Sequence, residues 1–457
     1  ILVIEPSPLE KNMLWIGTDD GKVHYTQNGG TTWIEVTQNI KGLPAGSWIP
    51  QIKASNKNKG EALLIANDYR RFNYTPYAYR TKNYGKTWER IVDENDVQSY
   101  TLSIIEDLEN PNLVFLGTDD GLYISFDAAV NWQKWTEGFP TVSTKDLVIH
   151  PREHDLVIGT FGRAAWVIDD IRPLRAVATN ASILQADATL FNPPTAYQAA
   201  YQQPTGSRFG GDAMYNAENK KEGAMITYFL KEGKKKGADK KANDEENTDT
   251  ENDMETPSAK EKLTGVQKKD SIQFDIYDEA RLIRTLKYKT PEKAGFHRMY
   301  WRMDEKGPDR ASRTVAKNKK EFGGMDVKPG TYTIKMSFGE VTDEATITVK
   351  SDPRLPVNTA VINKVFATGK SIEKMSQTAA DAVKQLVESK IVAEKYSKDL
   401  KELDEKKYTD QIKASKAIVK QVDSIIALYL GTVDKRQGIT RNPEITVMQR
   451  IRTASYY

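Results

Sequence analysis

Short apolar runs alternate with turn-forming clusters through the first 170 residues, the period-two pattern of half-buried strands. Leu14–Thr18 and Lys22–Gln27 read as strands joined at Asp19-Asp20-Gly21, where glycine accepts positive φ without strain. The scheme repeats as Ile49–Ala54, Ala62–Ala66, Ala78–Thr81 and Thr87–Ile91, and again as Tyr100–Ile105, Leu113–Thr118, Leu122–Ser125 and Trp132–Trp135. A partial unit, Asp146–His150, Asp155–Thr160 and Ala164–Ile168, ends without a fourth strand. Further strand patterns cover Ala224–Leu230, Ser271–Tyr277, Leu282–Leu286, His297–Trp301, Gly330–Phe338 and Glu340–Val349. After Asp352-Pro353-Arg354 the spacing changes to three and four. Ile372, Met375, Ala379, Ala382, Leu386 and Ala393 predict one amphipathic helix, and Ile418, Val422, Ile425 and Tyr429 a second, with a break near Asp404–Thr409. Two such helices make an antiparallel hairpin whose stripes form a seam or a dock.

The strand units are internal repeats. Gly17-Thr18-Asp19-Asp20-Gly21 recurs as Gly117-Thr118-Asp119-Asp120-Gly121. Three related boxes lie beside these motifs: Thr26, Asn28, Gly30 and Trp33; Thr81, Asn83, Gly85 and Trp88; and Ser125, Asp127 and Trp132, with Ala129 where the others have glycine. Their tryptophans are 55 and 44 residues apart, so the period is near 50 residues. In each box the Ser/Thr and the Asn/Asp two residues on are placed to bond the backbone of the hairpin, and the tryptophan is expected to wedge into the core. Four-stranded units at this period predict propeller blades. The expected class is mainly β with an α-helical C-terminal part: a partial propeller of four-stranded blades, an Ig-like sandwich and a helical hairpin.

These patterns divide the chain into blades over 1–175 (three and a half of them), an extended connector over 176–222, a sandwich over 223–354, and the hairpin with its tail over 355–457. Within the sandwich, 231–262 is a run of Lys, Asp, Glu, Asn and Thr that cannot bury enough apolar surface to offset its ordering entropy, and it reads as a disordered insert. Arg436–Pro443 is polar and loop-like.

Composition narrows the function classes. Across 457 residues, 66 Lys+Arg balance 63 Asp+Glu, so nothing resembles a nucleic-acid footprint. The chain has no cysteine, which excludes disulfides, thiolate metal sites and cysteine nucleophiles. His24, His150, His154 and His297 leave little for a histidine metal site, and no apolar run is long enough for a helical membrane span. No cofactor and no metal are expected.

The boxes resemble the Asp-box, or bacterial neuraminidase repeat. Gly159-Thr160-Phe161-Gly162-Arg163 with Trp166–Arg175 resembles the end of the propeller in a bacterial glycosyl-hydrolase-like family related to sortilin-type propellers. Pro76-Tyr77 and Asp352-Pro353-Arg354 extend the likeness, and Asp278–Leu286 with Gly295–Arg302 is similar to the Ig-like domain of flagellar hook-capping proteins. The resemblance implies export to the periplasm, outer membrane or extracellular space of a Gram-negative bacterium. It also implies that these residues are the C-terminal part of a longer polypeptide, whose N-terminal propeller part, or a complementary chain, supplies missing blades.

Candidate chemistry is sparse. Most glycosidases need two carboxylates flanking the scissile bond, and Asp19-Asp20 and Asp119-Asp120 repeat as a set, which favours turn chemistry over catalysis or metal binding. Arg163 is a candidate anion ligand at the propeller mouth; its alternative is a salt bridge to Asp169 or Asp170. The most irregular segment, Asn67–Tyr77, concentrates Tyr69, Arg70, Arg71, Phe72, Tyr74 and Tyr77 between two strands. Tyr and Arg suit sugar faces or peptide contacts, so Tyr69, Arg70, Arg71, Tyr74 and Tyr77 join Arg163 as candidate ligand residues; packing against a neighbouring blade is the alternative. The expected function is an exported, non-catalytic binding or scaffolding protein with a protein or glycan ligand. Its rivals are a glycoside hydrolase or sialidase-like enzyme with catalytic residues mainly in a missing N-terminal part, and a subunit of an outer-membrane or secretion assembly.

Overall fold

Four antiparallel sheets follow one another along the first of two units, Ile1–Ala186, in the computed structural model of the chain. The structure describes residues 1–199, 220–233, 270–315, 321–432 and 445–454. The first sheet holds β1 (Val3–Pro6), β2 (Leu14–Gly17), β3 (Val23–Thr26) and β4 (Ile34–Glu35). The second holds β5 (Trp48–Ala54), β6 (Ala62–Asp68), β7 (Asn73–Thr81) and β8 (Glu89–Arg90). The third holds β9 (Thr101–Glu106), β10 (Val114–Thr118), β11 (Gly121–Ser125) and β12 (Gln133–Trp135), and the fourth has three strands, β13 (Thr144–Ile149), β14 (Leu156–Thr160) and β15 (Ala165–Ile168). Within each sheet the strands lie in sequence order.

Side chains alternate between the faces of each sheet, and the register shows which face meets which neighbour. Ile52–Leu64–Tyr79 form one cross-strand row. Ile104–Leu116–Tyr123 and Leu147–Ile158–Trp166 are its equivalents in the next two sheets. Each row packs back onto the sheet before it: Leu64 and Tyr79 on Trp15 and Tyr25, Leu116 and Tyr123 on Leu63, Ile65 and Ala78, and Leu147 and Ile158 on Phe115 and Ile124. Burying each such side chain contributes about 1.5–3 kcal/mol. The first sheet has the same row, Ile4–Ile16–His24, but Ile4 is exposed.

Two glycines set how closely the sheets approach. A Cβ on Gly17 would lie 2.6 Å from Ile49 Cγ2 of the second sheet, and one on Gly117 would lie 2.6 Å from the Thr144 carbonyl of the fourth. The repeated glycine therefore makes room for the next inner strand.

In place of the extended connector expected over 176–222, the chain first makes α1 (Arg172–Thr179) and a 3₁₀ turn at Ala181–Gln185. Pro173 sits in the first turn of α1, where its missing N–H costs nothing. Ile171, Leu174 and Ala178 close the core between the third and fourth sheets. Strands β16 (Ala188–Leu190) and β17 (Ala196–Gln198) then enter the second unit, Asp187–Tyr457. An eight-residue helix and two three-residue strands are too short to show a period in the sequence.

The second unit begins as a sandwich. One sheet has the order β16, β18 (Ala224–Leu230), β21 (Gly295–Trp301); the other is β17, β25 (Val341–Ser351), β24 (Gly330–Phe338), β19 (Ser271–Asp278), β20 (Arg281–Lys289), with β17 parallel to β25. Ile226, Tyr228 and Trp301 from the first sheet meet Phe274, Ile334 and Ile347 from the second in one core. A two-stranded ribbon, β22 (Asp304–Lys306) with β23 (Gly323–Asp326), receives the helices. Of the charged insert 231–262 and the polar stretch 436–443, everything except 231–233 lies outside the described residues.

Helix α2 spans Thr359–Asp404, α3 Thr409–Leu430 and α4 Val447–Ala454. Asn358 caps α2, its side-chain oxygen accepting from the Val361 amide at 3.1 Å. The seam between α2 and α3 is Val383, Val387, Val422 and Ile426, whereas Met375, Ile418 and Ile425 of the expected stripes are exposed. Val422 of the expected stripes does lie in the seam, with Leu386 and Tyr429 packed against it, and Ala379 and Ala393 are buried. At the ribbon, Lys370 pairs with Glu305 at 3.0 Å, Glu373 accepts the Met325 amide at 2.6 Å, and Gln377 accepts the Asp309 amide at 2.8 Å. Among the described residues no helix is long and apolar enough to cross a membrane.

Candidate functional site

The irregular segment of the second sheet forms a braced aromatic loop. After β6, which is buried throughout, Tyr69–Arg71 make one 3₁₀ turn and Phe72 takes a left-handed conformation at φ 61°. Asp68, buried at the strand end, holds the turn: its carboxylate accepts from Arg71 Nε at 2.6 Å and from Asn73 Nδ2 at 3.2 Å. Tyr69 stacks on Tyr100 with ring centroids 4.8 Å apart, and Tyr74 lies 6.1 Å from the same ring. Arg70 lies over the Trp48 ring. Burial, and then a hydrogen bond with the Asp119 carboxylate, push the Tyr100 hydroxyl above its ordinary range, so it stays protonated. On this base Phe72 is 84% exposed, with Arg70, Arg71 and Tyr74 also open to solvent.

Of the candidate ligand residues, Tyr69, Arg70, Arg71 and Tyr74 are thus brought together. Tyr77 is not with them. It is buried in the core between the first two sheets, where its hydroxyl accepts from Asn73 Nδ2 at 3.0 Å, so it positions the loop from below. Arg163 is exposed on the turn between β14 and β15, and its carbonyl accepts the Trp166 indole N–H at 2.9 Å. The Asp170 carboxylate pairs with Arg172 at 2.5 Å. Phe72, Trp48 and Tyr100 complete the surface. Trp48, the first residue of β5, and Tyr100, just before β9, are drawn in from elsewhere in the chain, and no local spacing announces them.

The connections from second to third strand, Asp19-Asp20, the aromatic loop, Asp119-Asp120 and the Phe161–Ala164 turn, occupy one end of their sheets, as antiparallel order requires. The second aspartate of each pair serves its turn. Thr18 donates to Asp20, and Thr118 donates to Asp120 at 2.6 Å. Lys134 pairs with Asp120 at 2.7 Å, and Ser143 donates to Asp119.

The boxes lie at the opposite strand ends and share one bonding scheme. In the first, Gly30 N–H donates to Thr26 Oγ1 at 3.0 Å and Thr32 N–H to Asn28 Oδ1 at 2.9 Å. In the second, Gly85 bonds Thr81 and Thr87 bonds Asn83, both at 2.9 Å. In the third, Ala129 bonds Ser125 and Asn131 bonds Asp127, also both at 2.9 Å. Ala129 keeps the turn at φ 68°, where the other boxes use glycine. The expectation that each tryptophan enters the core needs correction at Trp33. Trp132 is buried with its indole donating to the Ile91 carbonyl at 2.8 Å, and Trp88 meets Trp15 edge-on at 5.9 Å. Both reach the preceding sheet. Trp33, on the first sheet, is 40% exposed.

Near the boxes is a charge cluster that sequence reasoning missed. Arg80, buried, has Nε 3.6 Å from Glu61 and Nη2 3.5 Å from Glu106, and Nη1 donates to the Ala128 carbonyl at 3.0 Å. Burial pushes the Glu106 carboxyl up to about 7, against the pull of Arg80 and with the repulsion of Glu61 and Asp107. The cluster ties the second sheet to the third. Among the described residues there is no group of three or more His, Asp or Glu side chains placed to hold a metal ion.

No protein-family model and no curated protein sequence matches the chain. Among solved structures it is similar to a GH74 enzyme from Niastella koreensis, at 16% identity over 36% of this chain and 28% of that one, with a TM-score of 0.30. It is also similar to YCF48 from Cyanidioschyzon merolae, at 18% identity over 36% and 54% of the two chains, with a TM-score of 0.27. A third is the Cps50 (Swd1) β-propeller domain from Myceliophthora thermophila, at 12% identity over 36% and 51%, with a TM-score of 0.27. The chain spans 22–29% of the length of three GH74 structures of this kind. These likenesses concern fold alone. The fold class is mainly β with an α-helical C-terminal part.

Proposed function

We propose that the protein is a non-catalytic binding or scaffolding module whose stacked sheets present the Tyr69–Tyr74 loop to a glycan or peptide ligand. The observation that carries this reading is Phe72: a large apolar ring kept in solvent, in a left-handed conformation that costs of the order of 1 kcal/mol, by a loop pinned from beneath. Strain and exposure are both unfavourable to the fold, which is the signature of a side chain retained for contact. Flanking arginines and Tyr74 supply the polar and stacking partners that sugar faces and peptides use. The turn bonding of Asp20 and Asp120 supports the non-catalytic side of the reading, since those two carboxylates accept from Thr18 and Thr118 of their own hairpins.

This reading extends to an exported protein of a Gram-negative envelope, with Asp-box blades of the sortilin-related kind and an Ig-like sandwich, completed by blades from its own N-terminal part or another chain. Fractionation of source cells tests the compartment. The ligand is tested on glycan and peptide arrays with the wild-type chain and the Phe72→Ala/Tyr74→Ala variant. Binding that the double variant loses, at an unchanged melting temperature, is the expected result. Turnover of any glycan overturns the non-catalytic reading.

A further inference from the structure

We propose that one side of the helical hairpin docks a second copy of this chain, two hairpins closing into a four-helix bundle. Helices α2 and α3 are joined along Val383, Val387, Val422 and Ile426, and beside this seam runs an open groove of about 670 Å³. On α2 the groove side presents Gln385, Ser389, Val392 and Tyr396, at the three-to-four spacing of a single helix face. Val392 and Tyr396 are 64% and 61% exposed, and Ile418 of α3 is 48% exposed. None of these residues is charged, although both helices are rich in Lys, Asp and Glu elsewhere. Glu388, at the rim, is paired with Lys384 at 3.9 Å.

The occupant follows from the way the exposed sides of the two helices complement each other. In antiparallel order Val387 is level with Val422 across the seam. Counting outward from that layer, Gln385 is level with Ser424, Ser389 with Gln421, Val392 with Ala417 and Tyr396 with Ala414, each within about one residue's rise of ~1.5 Å. All eight are exposed. Polar therefore stands opposite polar, and the bulky ring opposite the smallest side chain. A second copy turned about a two-fold axis parallel to the helices lays its α2 on the α3 of the first and keeps every one of these heights. The two serines are prepared for it: Ser389 donates to the Gln385 carbonyl at 2.8 Å and Ser424 to the Lys420 carbonyl at 3.0 Å, which leaves lone pairs on both hydroxyl oxygens for the amides of Gln421 and Gln385.

The size is also right. These side chains together with Ile418 and Ile425 expose on the order of 700 Å² per copy, near the ~800 Å² per partner of a specific interface. A lipid surface would strip water from the two glutamine amides and offer them nothing in return. An unrelated helix would need the same order of polar, small and bulky positions, which a second copy already holds. The face lies wholly within the second unit.

Sedimentation of the 457-residue chain is expected to show dimers at about 50 µM. Ile418→Glu, a change at an exposed position, is expected to weaken the dimer at least about tenfold while leaving the melting temperature within about 2 °C. Tyr396→Ala and Ala414→Tyr are each expected to weaken it, and the combined variant, which exchanges ring and methyl across the two-fold, to recover the wild-type dimer within about threefold. The chain has no cysteine, so Tyr396→Cys and Ala414→Cys each supply one thiol. An oxidised mixture of Y396C and A414C is expected to form the mixed disulfide at least about tenfold faster than either variant forms its own. A photocrosslinker attached at Y396C in source-cell extract is expected to join a second copy. A monomer at about 100 µM, a dimer that Ile418→Glu leaves intact, a mixed disulfide no faster than the others, or crosslinking to a different protein, to lipid or within the same chain overturns the proposal.

Discussion

Arg175 closes two hydrogen bonds on the carboxylate of Asp107, from Nε and Nη2, each 2.7 Å long. The Arg175 side chain is 10% exposed and that of Asp107 is 0% exposed, and Glu109 adds a contact at 2.8 Å from the rim. This bidentate pair fastens α1 to the connection between β9 and β10. Arg175→Ala leaves a buried carboxylate without its countercharge and is expected to cost about 3–5 kcal/mol. Arg152→Ala, which breaks the exposed pair with Glu153, is expected to cost less than about 1 kcal/mol. Chemical denaturation of the two variants decides the contrast.

Glu106 makes stability fall as pH rises. Burial lifts its carboxyl to about 7 in the folded chain, from an ordinary value of 4.5. Between those values the folded state holds a proton that the unfolded state has lost, so the contribution of this group declines through that window and is lowest above it. The neutral Glu106→Gln variant is expected to lose that decline. Melting curves of both proteins between pH 5 and 8 should show the wild type losing ground to the variant as pH rises.

Glu305 carries the opposite sign. Burial raises its carboxyl, but bonds from Arg281 at 2.8 Å and Lys370 outweigh it and hold the group below the usual glutamate range. Its stabilisation is present above the unfolded value and lost as pH falls through the folded one. Glu305→Gln is expected to loosen α2 from the ribbon at neutral pH, by roughly 2 kcal/mol, and to match the wild type in acid. Hydrogen exchange of residues 359–380 measures the first effect, and an acid titration of unfolding the second.

Phe72 separates stability from binding. Because its φ of 61° suits glycine, Phe72→Gly is expected to leave stability unchanged or raise it by up to about 1 kcal/mol. The same variant is expected to lose array binding. A large drop in melting temperature would show instead that the ring packs within the fold.

Hairpins, boxes and period were legible in the chain because they are local: Thr26 reaches Asn28 and Gly30, and Thr118 reaches Asp120, within a few residues of backbone. The helical hairpin was legible for the same reason, since a three-to-four spacing needs no partner to be seen. The short helix α1 was hidden, having too few turns to show a stripe.

Which face of each element is covered belongs to the tertiary structure. Identical box chemistry leaves Trp33 in solvent and buries Trp132, and equivalent glycines are crowded at 17 and 117 but open at 159. Tyr77 enters a core while Phe72, five residues earlier, is held outside it. Aromatic and polar residues alternate in the sequence of the loop without saying which of them finds a neighbour. Alternation fixes only that successive side chains point apart; the sheet that arrives from fifty residues away decides which of the two directions is dry.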